Sequence, residues 1–442
     1  MSFFKFLIRP LLLLLVFCQV FTPTSSIAVQ ASPQGIFKGK IDSIPCIIVP
    51  ATHEMVYLQI IVKGGVNNYN YLSQGIEPLL MSTIANGATT NYTLDEIELL
   101  KSSYMIQTSL NFYPDYSVIQ FKFPLSSWAD ATKLIGDMLG KPAFHADDIE
   151  NARGDVSMGS LTEAGDRWEK LRTTGTQIIY NNKNYLKTPW GDGLNLNAIQ
   201  SDALKKLYNT IFNRNNISIS VYGKVNQTML TNLIKINLKW LRSGSSSVAS
   251  TSPVDITSST LNIVGGQADQ KITTCMSNAP KPFSTDYAAF LLLSELLQGR
   301  ISTVNQQKKY IDELQVHYSN NNQCLFSIQF TASDPDKAMQ LIADEIKYLK
   351  KFGVKQAELN EKRVKFISHF YLDQSDDNWC QLLSLSTFYN TTVMIDGLDD
   401  LLQKVTVSDV QQAAVNYIKA FSIFYSGQKD EVNNLIFTQK LQ

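Results

Sequence analysis

Four histidines, His53, His145, His317 and His369, are the only imidazoles in 442 residues. Any site that uses imidazole as a metal ligand or as an acid/base near neutral pH must be assembled from them. His53-Glu54 opens like the H-E-x-x-H pattern, in which two imidazoles one helical turn apart hold zinc and the glutamate takes a proton from bound water. Tyr57 stands where the second histidine would have to be, and the segment reads as strand, so an ordinary surface pair is expected. His145 falls in a loop before a helix and His369 on a helix among Phe366, Phe370 and Tyr371, which predicts packing roles for both. Beyond Cys18, the cysteines are Cys46, Cys275, Cys324 and Cys380, with no C-x-x-C spacing. Buried thiols are expected, and a bridge between Cys275 and Cys324, both on strands, stays open. No G-x-S-x-G elbow and no phosphate-cradling glycine loop occurs.

These residues must be positioned by a folded protein. The 39 Lys+Arg balance the 39 Asp+Glu, so the chain lacks the electrostatic footprint of a nucleic-acid binder. Its 44% hydrophobic content is that of a globular protein, and its length exceeds what one core usually fills. Lys5 and Arg9 precede the apolar run 11–17, and Val29-Gln30-Ala31 ends the leader with small residues two apart. This reads as a secretory signal peptide, 1–31, cut after Ala31. The protein is then exported: periplasmic in a Gram-negative bacterium, secreted elsewhere. Cys18 does not make it a lipoprotein, because Phe17 stands where such a signal needs a small residue. No later stretch is apolar enough to span a bilayer, so no membrane attachment is expected after cleavage.

A Ser/Gly/Pro-rich stretch, 242–258, reads as a linker between two α+β halves, 32–241 and 259–442. Each is expected to be an antiparallel sheet with helices mainly on one face. In the first, 56–62 is a buried-strand run closed by Gly64-Gly65, and 75–86 reads as a helix ending at Gly87. Thr93 and Glu96 form a capping box; 106–112 and 117–123 alternate as paired strands around the turn 113–116. Helical patterns follow at 127–140, 147–164, 168–180 and 201–212, then a strand at 217–222 and a helix at 227–240. The second half repeats the order: strands at 261–264 and 271–276, a helix over 285–298 ending at Gly299, a polar helix over 302–314, and paired strands at 315–319 and 324–330. Helices at 334–349, 355–372, 378–389 and 408–420 follow, the last opened by a Ser408/Gln411 box, before a strand at 421–425. The repetition suggests two homologous domains.

The order of elements resembles the insulinase/pitrilysin family of zinc peptidases, in its short two-domain bacterial and mitochondrial-processing branch. Gly64-Gly65 resembles the end of the family's first hairpin. Gly75-Ile-Glu-Pro-Leu-Leu-Met-Ser-Thr-Ile-Ala-Asn-Gly87 is similar to the helix that bears its H-x-x-E-H motif, and Lys141-Pro-Ala-Phe144 with 147–156 is similar to the approach to its third metal ligand. Ile199-x-Ser-Asp202 through Val225, and Val405-x-Val-Ser-Asp409, resemble the closing helix and strand of each half. By position in the motif the first histidine falls on Pro78, the general base on Met81, the second histidine on Ser82 and the downstream glutamate on Gly159, so the resemblance implies that all four are lost. No histidine lies between His53 and His145, so no shift restores the site. Glu77 and Glu163 are the nearest carboxylates; Glu77 reads as a solvated first-turn acid favoured by the helix dipole, with Pro78 tolerated there.

The family also holds substrate with a tyrosine and an arginine from its second half. Tyr318 is similar to the first. The arginine position falls on Ile311, leaving Arg300, Lys308 or Lys309 as substitutes only after rearrangement, so Tyr318 and Arg300 are the candidate substrate-binding residues. What the resemblance implies is a catalytically inactive homologue: a substrate-binding or structural subunit of a zinc peptidase complex, with no cofactor of its own and zinc only in a catalytic partner. Its partners would be a zinc-bearing homologous subunit (heterodimer) or a second copy, with unfolded peptides as ligands. Two alternatives stay open: a stand-alone peptide- or protein-binding module that adds extended peptides to its edge strands, and a metalloendopeptidase with an unconventional site.

Overall fold

Residues 56–62 are buried without alternation because their strand lies inside a sheet covered on both faces. That sheet contains β1 (Phe37–Ile41), β2 (Ile44–Val49), β3 (Met55–Lys63), β4 (Gln107–Phe112), β5 (Tyr116–Pro124) and β6 (Ile217–Tyr222), in the order β1-β2-β6-β3-β5-β4. A second sheet contains β7 (Thr260–Val264), β8 (Ile272–Asn278), β9 (Glu313–Tyr318), β10 (Leu325–Thr331) and β11 (Ser422–Ser426), in the order β7-β11-β8-β10-β9. The second order repeats β2-β6-β3-β5-β4, and each sheet has one parallel pair, β2/β6 and β7/β11, in an otherwise antiparallel ladder. The duplication in the sequence is thus a duplication of topology. The hairpin β1–β2 at the edge of the first sheet has no counterpart in the sequence-based assignment. The computed structural model describes residues 35–181, 183–191, 193–247, 253–265, 271–372 and 375–441, which belong to one compact unit, Ser32–Gln442. The signal peptide with its cleavage position, part of the linker and the side chain of Glu163 lie outside the described residues.

The first half carries helices α1 (Ile76–Asn86), α2 (Leu94–Ser103), α3 (Trp128–Gly140), α4 (Ala146–Gly165), α5 (Arg167–Ile179), α6 (Gly193–Ala198), α7 (Ser201–Ile211) and α8 (Gln227–Asn232). The second carries α9 (Tyr287–Lys308), α10 (Pro335–Phe352), α11 (Gln356–Leu372), α12 (Asp376–Phe388), α13 (Val393–Asp396), α14 (Leu398–Gln403) and α15 (Val407–Tyr417). The Thr93/Glu96 capping box opens α2. The second box is Thr406/Asp409, not Ser408/Gln411: Thr406 has the extended backbone of a cap and its hydroxyl accepts from Asp409 N. Helix α9 runs through Gly299 rather than stopping there, so the separate polar helix over 302–314 is absent. Gly299 lies beneath Lys362, whose Cε would be 2.8 Å from an added Cβ.

Each sheet packs its own half's helices on one face, forming two main cores. The opposite faces are covered by exchange. Helix α5 of the first half lies on the second sheet, where Leu171 joins Met276 and Phe424 in a core, and Gly175 lets the Phe424 ring approach to 2.7 Å of where a Cβ would be. Helix α12 of the second half lies on the first sheet, with Trp379 and Leu383 against Ile47 and Val49. Burying these side chains is worth about 1.5–3 kcal/mol each, so the halves are joined by shared cores and not by the linker alone. Polar groups follow: Tyr57 donates to Asp376 Oδ2 at 2.6 Å, and Gln329 Nε2 donates to Trp168 O at 3.0 Å.

The equivalent hairpin turns β4–β5 and β9–β10 also meet. The first is seated on Gly64-Gly65: Gly64 N donates to Asp115 O at 2.8 Å, and a Cβ at Gly65, where φ is +49°, would lie 2.4 Å from Pro114 O. Asp115 is thereby carried to the second turn, where its Oδ2 accepts from Asn322 N at 2.7 Å while its Oδ1 accepts from Tyr185. Cys46, Cys275, Cys324 and Cys380 are all buried and free, so Cys275 and Cys324 are not bridged. Burial pushes the Cys46 thiol up to about 12 and that of Cys324 to about 11, which keeps both unreactive.

Candidate functional site

Helix α1 has no solvated face. Gly75 enters it with φ at +84°, and every residue from Ile76 to Ala85 is buried between the sheet and helices α3, α4 and α7. Pro78 and Met81 contribute carbon and a thioether to this packing, and neither supplies a donor suited to zinc. The Ser82 hydroxyl donates to Asp155 Oδ2 on α4 at 3.2 Å. The expectation for Glu77 is overturned: its residue is 1% exposed, and its carboxylate accepts from Ser117 Oγ and from Asn68 Nδ2. The loop 65–69 and β5 close over the first turn, which sequence position alone does not reveal. Desolvation outweighs the two hydrogen bonds and raises the Glu77 pKa to about 7.

Gly159, on α4, is occupied from outside. A Cβ there would lie 2.3 Å from Trp190 Cζ3, so the indole takes the space that a glutamate side chain would need. The strap that carries Trp190 is fixed by backbone approach at two glycines. Gly191 has φ at +67° and packs on Gln74 O, while Gly75 packs on Trp190 O. Thr188 N donates to Gln74 Oε1 at 2.8 Å, and Ser160 Oγ donates to Gly191 O at 3.2 Å. The indole then meets Phe112, at the end of β4, edge to face with centroids 5.0 Å apart. The residues at the family's four zinc-site positions do not fit a zinc ion, and no three His, Cys, Asp or Glu side chains among the described residues converge as metal ligands.

Beside this filled position a cavity of about 560 Å³ opens between the halves. The ends of edge strands β4 and β9 reach it, with α5 and α12 as further walls. Phe112, Trp190 and the stacked pair Tyr113/Tyr116 give it an aromatic side. Arg172, Glu169 and His317 give it a charged and polar side. Arg172 pairs with Glu169 and donates to His317 Nε2 at 3.2 Å, which fixes the neutral imidazole as acceptor. His317 is exposed at the cavity, and desolvation by the protein around it together with the Arg172 charge pushes its pKa down to about 4. The arrangement suits an apolar side chain beside peptide polar groups.

Of the two substrate-binding candidates, Tyr318 lines this cavity and Arg300 does not. The Tyr318 hydroxyl donates to Pro280 O at 2.8 Å and its ring packs on Phe290, with centroids 5.4 Å apart. Arg300 lies on α9 in ion pairs with Glu345 and Glu358, both at 3.1 Å, and its guanidinium stands 4.7 Å from the Tyr348 ring centroid. The structure therefore does not bring Tyr318 and Arg300 together. The packing roles expected for His145 and His369 are also not found, because both are exposed. His53 donates from Nδ1 to Met55 O at 2.9 Å, and Glu54 pairs with Lys224. Trp190 and Arg172 were not singled out in the sequence. The one local signal was Thr188-Pro-Trp-Gly191, a large aromatic residue held in a turn-forming segment.

Residues 198–365 match the family described as the peptidase M16 inactive domain, a span that begins at the end of α6 and crosses the linker into α11. No curated protein matches the sequence. Solved structures share the fold. The peptidase M16 inactive domain from Pseudomonas fluorescens is 17% identical with a TM-score of 0.78, covering 89% of this chain and 98% of that one. The first half of the periplasmic protease PqqL from Escherichia coli is 15% identical with a TM-score of 0.73, covering 91% and 93%. Pitrilysin is 13% identical with a TM-score of 0.73, covering 91% of this chain and 46% of that one.

Proposed function

The chain is an insulinase/pitrilysin-like protein that carries a peptidase M16 inactive domain and no zinc motif, and on that premise we propose that it is an exported, non-catalytic subunit that binds unfolded peptide. The observation that carries this reading is the contact of Trp190 with Gly159: the position of the third ligand is filled by carbon while the cavity next to it stays open. A fold retained with its ligand positions packed shut is one kept for shape and contacts. Zinc is assigned to a partner, not to this chain. Two features support a partner. The chain matches the first half of PqqL and spans about half the length of pitrilysin, so a second two-half chain would supply the remainder of such an assembly. Heterodimerisation with a zinc-bearing homologue is the proposed state, and a homodimer would use the same division into halves.

Export rests on the leader 1–31, and no helix among the described residues is long and apolar enough to cross a membrane. Co-purification with a zinc-bearing homologue from the same cell envelope tests the subunit role: a stable complex with peptidase activity is expected, and a chain that stays alone while binding peptide would instead identify a stand-alone binding module. Edge strands β4 and β9 reaching one cavity favour extended peptide as the ligand in both cases.

A further inference from the structure

Two polar groups on the cavity wall are left unused by the fold. Ser319 follows β9 and Gln323 precedes β10; both line the cavity, and they are only 6% and 9% exposed. Their turn is well fixed: Ser319 N donates to Leu325 O at 2.9 Å, and Gln323 Oε1 accepts from Asn321 Nδ2 at 3.2 Å. The Ser319 hydroxyl and Gln323 Nε2, however, have no hydrogen-bond partner among the described residues, and neither is sealed in by protein. The hydroxyls of Tyr318 and Tyr185, on the same lining, are already engaged with Pro280 O and Asp115. Gln177 and Gln381 are half-buried and exposed, so they keep their water when a ligand enters.

The bond from Asn322 N to Asp115 Oδ2, 2.7 Å long, brings this turn against the segment that carries Tyr113 and Tyr116, whose rings stack with centroids 4.6 Å apart. A polar end and an aromatic wall thus belong to one cavity. A side chain that enters displaces water from both, and a buried donor or acceptor whose water is not replaced weakens binding. Leucine and phenylalanine leave both groups unpaired. An indole N–H only donates, so it leaves the Gln323 amide unpaired. A phenol satisfies both, since its oxygen accepts from Gln323 Nε2 while its proton is donated to Ser319 Oγ, and its ring packs on the aromatic wall. We infer that the peptide residue seated in this cavity is a tyrosine, selected over phenylalanine by Ser319 and Gln323. The inference rests on the peptide-binding reading and names the side chain that the cavity takes.

The test uses the chain without its leader and three fluorescent, unfolded peptides that differ at one position only, Tyr, Phe or O-methyltyrosine. Anisotropy should show the Tyr peptide binding about tenfold more tightly than the Phe peptide, the size of one buried polar group left unpaired. O-methyltyrosine, which cannot donate, should lose most of that advantage. In Ser319→Ala and in Gln323→Met the Tyr peptide should weaken toward the Phe peptide while the affinity for Phe holds, and Ser319→Thr, which keeps the hydroxyl, should retain the preference. Thermal melting verifies that the variants are folded; because Gln323 Oε1 also ties the turn, Ser319→Ala decides the question if Gln323→Met does not fold. Equal binding of the Tyr and Phe peptides, a preference that survives in folded Ser319→Ala, or an equal loss of both peptides in that variant overturns the selection of tyrosine while leaving peptide binding intact. Absence of binding for all three peptides overturns the peptide-binding reading, and the selection of tyrosine with it.

Discussion

Trp190 and Gly159 are complementary: the indole of one occupies the side-chain space that the other lacks, with 2.3 Å between Trp190 Cζ3 and a notional Cβ at 159. Overpacking of this kind costs about 1–3 kcal/mol. Gly159→Ala is expected to lower the urea midpoint accordingly. In a Trp190→Ala background the same change should be neutral or stabilising, since alanine is favoured over glycine in a helix by about 1 kcal/mol. Additive effects in that double-mutant cycle would show that the two side chains are independent.

Glu77 predicts a pH dependence. Its folded pKa, about 7, lies above the ordinary 4.5, so the folded state binds its proton more tightly than the unfolded state does. The associated stability is fully present below about pH 4.5 and is lost as pH rises toward 7, by roughly 3 kcal/mol. Urea midpoints measured across that window should fall in the natural chain from this group and show a flatter slope in Glu77→Gln. An unchanged slope in the variant would place Glu77 in solvent.

Asp115 predicts how strongly the halves are coupled at their two turns. Asp115→Ala removes the acceptor for Asn322 N and for Tyr185, leaving one buried and one partly buried donor unpaired. A loss of about 2–4 kcal/mol is expected in chemical unfolding, and faster hydrogen exchange at Asn322 should accompany it. An exchange rate unaffected by the substitution would mean that the turns are held by other contacts.

His317 should remain neutral throughout the range in which an ordinary histidine titrates, because its pKa is held at about 4. Arg172→Ala should move the titration upward, yet not to the ordinary 6.5, since desolvation by the surrounding protein is the larger cause. Nitrogen chemical shifts of the imidazole report both. A midpoint near 6.5 in the natural chain would show that the ring is hydrated.

Much of this architecture was legible in the sequence. Strand periods and capping signals located β3, β5, β8 and β10 and the helices from α3 to α5, because their patterns follow from local burial and local hydrogen bonding. What stayed hidden depends on distant chain segments. The Lys-Gly-Lys of β1 does not resemble a strand until β2 pairs with it. Gly299 reads as a helix end, but the packing of α9 carries the helix past it. That no zinc ligand stands at Pro78, Ser82 or Gly159 and no general base at Met81 could be read from one dimension, while the filling of the last ligand position by Trp190 could not, because the two are 31 positions apart. Glu77 was misjudged for the same reason: its neighbours Asn68 and Ser117 arrive from a loop and a strand.

Native mass spectrometry of the purified chain, mixed with equimolar zinc and an unfolded peptide that carries an aromatic residue, tests the non-catalytic peptide-binding role, since one spectrum reports metal content, peptide occupancy and peptide integrity. The account predicts a chain–peptide complex of one to one, no stoichiometric zinc adduct, and peptide of unaltered mass. One zinc per chain together with cleaved peptide, both abolished by a chelator, would contradict it.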